Sequence, residues 1–211
     1  MTVKTKTVES ELDDGRRDIL LRQLEAIFVF EGYRRSTMAD LAMRLRCSKR
    51  ALYQLAPSKE DLFLIVVQQV MDEIWRLGLE AESQTERVQD RIHRYVTAAI
   101  VPCKRWSPVF LSDVEGMPEA HAILEKHLRD RMERLEKMVR EGIRLGVFRK
   151  TSPKLVAEII IVSASRFCSP TFLEQSKLDL ASAVEDMCDL LWNGLLHPDE
   201  IANEERKKLR R

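Results

Sequence analysis

Between Thr37 and Ser58 the chain places three helix-start signals in close succession: Thr37 with Asp40 three residues on, Ser48 ahead of KRALYQL, and Ser58 with Asp61 three residues on. A Ser or Thr side chain at an N-cap satisfies an orphan backbone N–H, and an acidic residue three positions later can reach back to the cap. Signals this closely spaced permit only short helices. Gly32 stands where a preceding helix would end in the left-handed conformation, and Pro57 cannot continue a helix. The local chemistry therefore predicts two short helices, with Lys49 to Leu55 as the second, followed at once by a long one.

The rest of the chain is also read as helical. Leu20, Leu24, Ile27 and Phe28 share one face from Arg16 onward, and Phe63, Val66, Val70, Ile74 and Leu77 share another. Val88, Ile92, Tyr95 and Val96 make a stripe ending near Pro102. Ser-Pro pairs open the segments at Ser107 and Ser152, with Pro at the first helical position. Leu124, Leu128, Met132, Leu135, Val139 and Ile143 form a long amphipathic row closed by Gly146, and Ser176 with Asp179 is read as the capping box of a last helix. No period-2 segment carries turn chemistry on both sides. The expectation is an all-α chain of about nine helices, divided into a mobile arm (1–15), a helix-turn-helix unit (16–60), a larger helical domain (61–198) and a charged tail (199–211).

Charge narrows the function. The formal net charge is +1, yet Arg34 to Lys59 holds seven Lys/Arg against the single acid Asp40, a local +6 that leaves −5 for the remainder. A basic patch on a near-neutral chain points to a polyanion touched by one region. With Ala42 at the helix crossing and Leu41, Leu45, Cys47, Leu52 and Leu55 inward, Lys49, Arg50, Tyr53 and Gln54 fall on the outer side of the second short helix. Lys and Arg suit guanine acceptors, Gln suits adenine, and a Tyr hydroxyl can hold a phosphate. Thr37, Ser48 and Lys59 each sit at a helix N-terminus, where N–H groups and the helix dipole favour phosphate. In a helix-turn-helix the second helix enters the major groove while the first crosses the backbone.

The stretch AIFVFEGYRRSTMADLAMRLRCSKRALYQLAPSKEDLF resembles the N-terminal DNA-binding domain of the tetracycline-repressor (TetR) family of bacterial transcriptional regulators. The resemblance covers residues 17–64 and rests on Ala26, Phe30, Gly32, Tyr33, Thr37, Leu41, Ala42, Ser48, Leu52, Tyr53, Ser58, Lys59, Glu60 and Leu62 in register. Three positions depart from the family pattern. Arg46 stands at the turn where Gly is usual, Arg50 where a small residue is common, and Ala56 where an aromatic precedes the Pro-Ser-Lys piece. A positive φ at Arg46 would cost about 1 kcal/mol.

The resemblance implies a homodimer formed through the last two helices and a small-molecule pocket within the others. The sequence supports the first point separately. The segment LVAEIIIVSA is apolar nearly all round, and the last helix carries two apolar stripes, which call for a second neighbour. Ile159, Val162, Val184, Met187, Cys188, Leu191 and Trp192 are the expected interface. Tyr95, Cys103, Trp106, Phe110, Met117, His121, Phe167 and Phe172 are the expected lining of a site for a largely apolar effector, with Arg94 and Arg166 as groups for an anionic one should they point inward. His121 and His127 lack the i,i+4 spacing of a helical metal pair, so no metal and no cofactor is expected.

Other classes fit less well. The chain has no Gly-rich phosphate loop and no defensible Ser/His/Asp or metal-spaced set, which argues against an all-α enzyme. A non-specific architectural DNA-binding protein is the alternative, but such proteins carry basic charge throughout. The four cysteines are far apart in sequence, and the N-terminus has no apolar signal core, so a cytoplasmic protein with reduced thiols and no membrane segment is expected. The expected function is a dimeric, effector-switched regulator of the repressor kind, bound to a palindromic DNA operator.

Overall fold

A computed structural model describes residues 14–168 and 170–195. Among them eleven helical segments and no strand are present: α1 (Asp14–Glu31), α2 (Met38–Arg44), α3 (Lys49–Leu55), α4 (Lys59–Glu82), α5 (Val88–Thr97), α6 (Ile100–Cys103), α7 (Pro108–Glu115), α8 (Pro118–Arg144), α9 (Pro153–Phe167), α10 (Pro170–Ser176) and α11 (Leu180–Leu195). The all-α expectation holds. The two segments beyond the nine expected are short: α6 is a single turn and α10 two. Residues 1–13 of the expected arm and the charged tail 199–211 lie outside the described residues.

The N-terminal signals act as their chemistry demands. Gly32 ends α1 at φ 77°. Thr37 and Asp40 form a reciprocal capping box, and the Ser48 hydroxyl accepts the N–H of Ala51 at 3.1 Å. The Ser58 hydroxyl accepts the N–H of Asp61 at 3.0 Å, but the Asp61 carboxylate returns to that hydroxyl rather than to the cap backbone. Gly78 lies inside α4, where a Cβ would stand 2.8 Å from the Tyr95 ring, so its missing side chain admits that ring. One local expectation needs correction. Ser176 closes α10, and Asp179 is the residue that caps α11, accepting the N–H of Ala181 at 2.9 Å.

Two buried clusters make the core. The first joins α1 to α4 with α7 and the start of α8, around Phe28, Phe63 and Phe110. Phe63 meets Phe28 and Phe110 edge-on, each at 5.9 Å, and stacks on Tyr33 at 4.4 Å. The second joins α5, the later part of α8, α9 and α11. Packing thus does not divide at residue 60, because α7 belongs to the cluster that supports the short helices. Glu82, buried at the end of α4, pairs with Arg134 of α8 and lies 3.9 Å from Arg91 of α5, which also holds Glu141 at 2.9 Å.

Candidate nucleic-acid interface and internal cavity

The α2–α3 unit turns at Arg46, which adopts φ 50°, the left-handed region that disfavours a Cβ. The tight turn lets the N–H of Cys47 bond the carbonyl of Ala42 at 3.0 Å. Leu41 and Leu52 are fully buried, Leu45 and Leu55 nearly so, and Cys47 is half-buried. Fixing these inward leaves Lys49, Arg50, Tyr53 and Gln54 exposed along α3, beside exposed Ser48.

Folding thins the basic patch seen in the sequence. Arg44 forms a two-pronged pair with Glu31, its Nη1 at 2.8 Å from Oε2, and Arg34 pairs with buried Asp113 at 3.1 Å. Lys59 is half-buried, its Nζ 5.1 Å from the Tyr33 ring centre and 3.5 Å from the Arg34 carbonyl. The Thr37 hydroxyl donates to Asp40 at 2.6 Å and its backbone N–H to the same carboxylate at 2.9 Å, which holds the Asp40 carboxyl below its usual range. Thr37 is therefore exposed but already engaged.

Between α4, α5, the α6–α7 turn, α8 and the end of α9 lies a cavity of about 300 Å³. This is the small end of the usual range for ligand sites, about 300–1,000 Å³. Of the expected lining, Cys103 and Trp106 are there. The others are elsewhere, and the reason is helical phase. Tyr95 is wholly buried beneath Arg131, and Phe110 and Met117 face the first core cluster. His121 is exposed and 3.4 Å from Glu125, a turn nearer the start of α8 than Leu124, His127, Leu128 and Arg131, which do line the cavity. Phe167 and Phe172 pack on each other at 5.3 Å outside the lining. Arg94 is exposed and hydrogen-bonded to Gln84, and Arg166 is exposed beside Phe172.

Two residues unanticipated by the sequence reading dominate the cavity's electrostatics. His127 is buried, and desolvation aided by Arg131 pushes its pKa down to about 3, so the ring is neutral. Arg131 is 4% exposed, with Nη2 donating to the Tyr95 carbonyl at 3.2 Å. The i,i+4 spacing of the two was legible, but a His and an Arg at such spacing are ordinary on a solvated face. Cys103 and Cys168 are hydrogen-bonded to each other; that bond holds the Cys103 thiol well above its ordinary value and draws the Cys168 thiol down.

The expected interface residues separate into two groups. Val184, Met187 and Cys188 are buried within the chain itself, Trp192 stacks on Phe148 at 6.1 Å, and Leu191 is half-buried. Both stripes of α11 merge into one broad face turned onto α5 and α9, with Leu191 and Trp192 only half-buried on it. Ile159 and Val162 do remain exposed, together with Leu155 on α9 and Leu190 on α11.

A helix-turn-helix carried on a larger all-α domain is the architecture of a DNA-binding regulator. The profile described as bacterial regulatory proteins, tetR family, matches residues 20–66, and that of the tetracyclin repressor-like C-terminal domain matches residues 109–192. The chain belongs to the TetR family of bacterial transcriptional regulators. It is 26% identical over 189 residues to the HTH-type transcriptional activator FasR of Mycolicibacterium smegmatis, spanning 87% of this chain and 84% of that protein. Among solved structures, a transcriptional regulator from Saccharomonospora viridis in complex with choline superposes with a TM-score of 0.71 at 14% identity, over 88% of this chain and all (100%) of that one. SmeT, the repressor of the Stenotrophomonas maltophilia multidrug efflux pump SmeDEF, superposes with a TM-score of 0.66 at 19% identity, over 86% and 91% of the two chains. No described helix is long and apolar enough to cross a membrane.

Proposed function

We propose that this protein is a homodimeric regulator that reads a palindromic operator through α3 and is switched by a small molecule held in the internal cavity. The observation that carries the reading is the outer face of α3: Lys49, Arg50, Tyr53 and Gln54 are exposed while Leu52 and Leu55 anchor the helix from behind. Lys49, Arg50 and Gln54 are assigned to base edges. Tyr53, Ser48, Thr37 and Lys59 are assigned to phosphate, with Thr37 acting through the exposed start of α2 rather than through its engaged hydroxyl.

Dimerisation is assigned to the exposed row Leu155, Ile159 and Val162 with Leu190, an apolar face that water would otherwise cover. Two such units bound to one DNA face need their α3 helices about 34 to 36 Å apart. Effector binding alters transcription only if it favours one dimer geometry over another. Repression is the expected sign, since occupying an operator needs no surface beyond α3 and the dimer face. FasR is named an activator and SmeT a repressor, so the family accommodates either. Such a protein works in the cytoplasm, where the DNA is.

Selection of bound sites from a random duplex library, near physiological salt and without added ligand, tests the reading. Enrichment of a palindrome is expected. Binding that depends on salt but enriches no sequence would favour the architectural alternative.

A further inference from the structure

We propose that the cavity takes a monoanionic amphiphile, a ligand with one carboxylate on an apolar body, and that Arg131 binds its head. The inference deepens the proposed effector site and rests on that reading.

Arg131 is a buried charge whose hydrogen bonding is incomplete. Nη2 donates to the Tyr95 carbonyl and the guanidinium carbon lies 4.5 Å from the Tyr95 ring centre, but Nη1 has no hydrogen-bond partner. No described carboxylate lies within ion-pair distance of it. Arg131 nevertheless sits in the wall of an open cavity rather than in solid core. Leaving a buried guanidinium without a counterion is costly, and proteins hold such groups paired and fully bonded. A ligand carboxylate at this wall is the acceptor and the counterion that the Arg131 guanidinium lacks. A carboxylate meets a guanidinium in matching planar geometry with charge-assisted hydrogen bonds.

The neighbours set the charge at one. His127, one turn before Arg131, is neutral at working pH and adds no second positive charge. The Cys168 sulfur accepts the Cys103 proton in a hydrogen bond, and Nη1 is left unbonded. Glu115 lines the cavity and is exposed, so its carboxylate repels a second negative charge. A dianion would therefore bury one charge without a partner, and a cation would meet Arg131. Met71, Ile74, Val96, Leu124, Leu128 and Ile161 meet an apolar body by contact, with Ser112 and Ser165 as the hydroxyls among the remaining walls.

Isothermal titration of the full-length protein at pH 7.5 with octanoate, octan-1-ol and methyl octanoate separates the contributions. Octanoate is expected to bind at least tenfold more tightly than either neutral analogue. Arg131→Met should abolish that preference while leaving octan-1-ol affinity within twofold, which also reports that the variant cavity is intact. Equal binding of octanoate and octan-1-ol by the wild type overturns the proposal and leaves the effector site standing, as does an unchanged preference in R131M. If R131M does not fold, the wild-type ratio decides alone. Absence of binding by all three removes the effector site and the proposal together, without touching the DNA-binding assignment.

Discussion

The carboxylate of Asp113 accepts the backbone N–H of Tyr33 at 2.8 Å and pairs with Arg34 at 3.1 Å, which ties α7 to the segment that leads into α2. Asp113 is buried, while Leu111, Ser112 and Glu115 on the other side of the same helix line the cavity. One short helix therefore touches the candidate effector site and the base of the candidate DNA-binding unit. A second link runs from the N–H of Ser107, just before α7, to the carbonyl of Val29 at 3.1 Å.

Asp113→Ala should leave the Tyr33 N–H buried and unbonded. A loss of about 1–3 kcal/mol is expected in urea unfolding, the usual cost of an orphaned buried donor. Asp113→Asn, whose amide oxygen can still accept that N–H, should lose less. Equal losses for the two would move the importance from the hydrogen bond to the charge.

Arg46→Gly removes a Cβ from a left-handed position at φ 50°. The relief is about 1 kcal/mol, partly offset by the greater unfolded-state entropy of glycine. A midpoint in denaturant that is unchanged or slightly higher is expected, and a clear drop would mean that the Arg46 side chain holds the turn by contacts of its own.

Ile159→Glu and Val162→Glu should yield a monomer by light scattering with helical circular dichroism unchanged, because both side chains are exposed in the protomer. Met187→Ala, buried within the protomer, should instead cost about 2–5 kcal/mol of stability. The contrast separates the proposed dimer row from the core face of α11.

On an enriched operator, Lys49→Ala and Arg50→Ala should change base preference, each by about 1–3 kcal/mol at the affected position. Tyr53→Phe and Lys59→Ala should weaken all sequences alike. If all four variants lose affinity without regard to sequence in a competition assay, α3 is not the reader.

Acid stability should carry the mark of His127. The folded pKa, about 3, lies below the unfolded value of about 6.5. Between these values the unfolded chain binds the extra proton, so stability is full above pH 6.5 and falls as pH drops toward 3. His127→Gln should flatten the pH dependence of unfolding over that window by up to about 1.4 kcal/mol per pH unit. A difference curve with no slope there would show the imidazole to be solvated.

Legibility from the sequence followed the range of the interactions. The caps at Thr37, Ser48 and Ser107 and the left-handed ends at Gly32 and Gly146 are contacts within a few residues, and each stands where its residue type puts it. The exposed face of α3 was equally legible, because it is the complement of an apolar pattern one turn long. The cavity was not. Phe110 and Trp106 are both aromatic residues near the start of α7, yet one is buried against Phe63 and the other reaches the cavity.

By itself, then, the sequence determined the helical class, the short-helix unit with its outward side chains, and the family to which the chain belongs, all through local hydrogen bonds and the apolar period. Only the tertiary structure decided that Arg34 and Arg44 are taken up by Asp113 and Glu31, that α11 turns one broad face inward, and that Arg131 rather than Arg94 or Arg166 is the buried cation. Which of several similar arginines loses its water depends on how distant helices are rotated against one another. That rotation is set by the summed packing of both core clusters, a quantity that no short window of sequence contains.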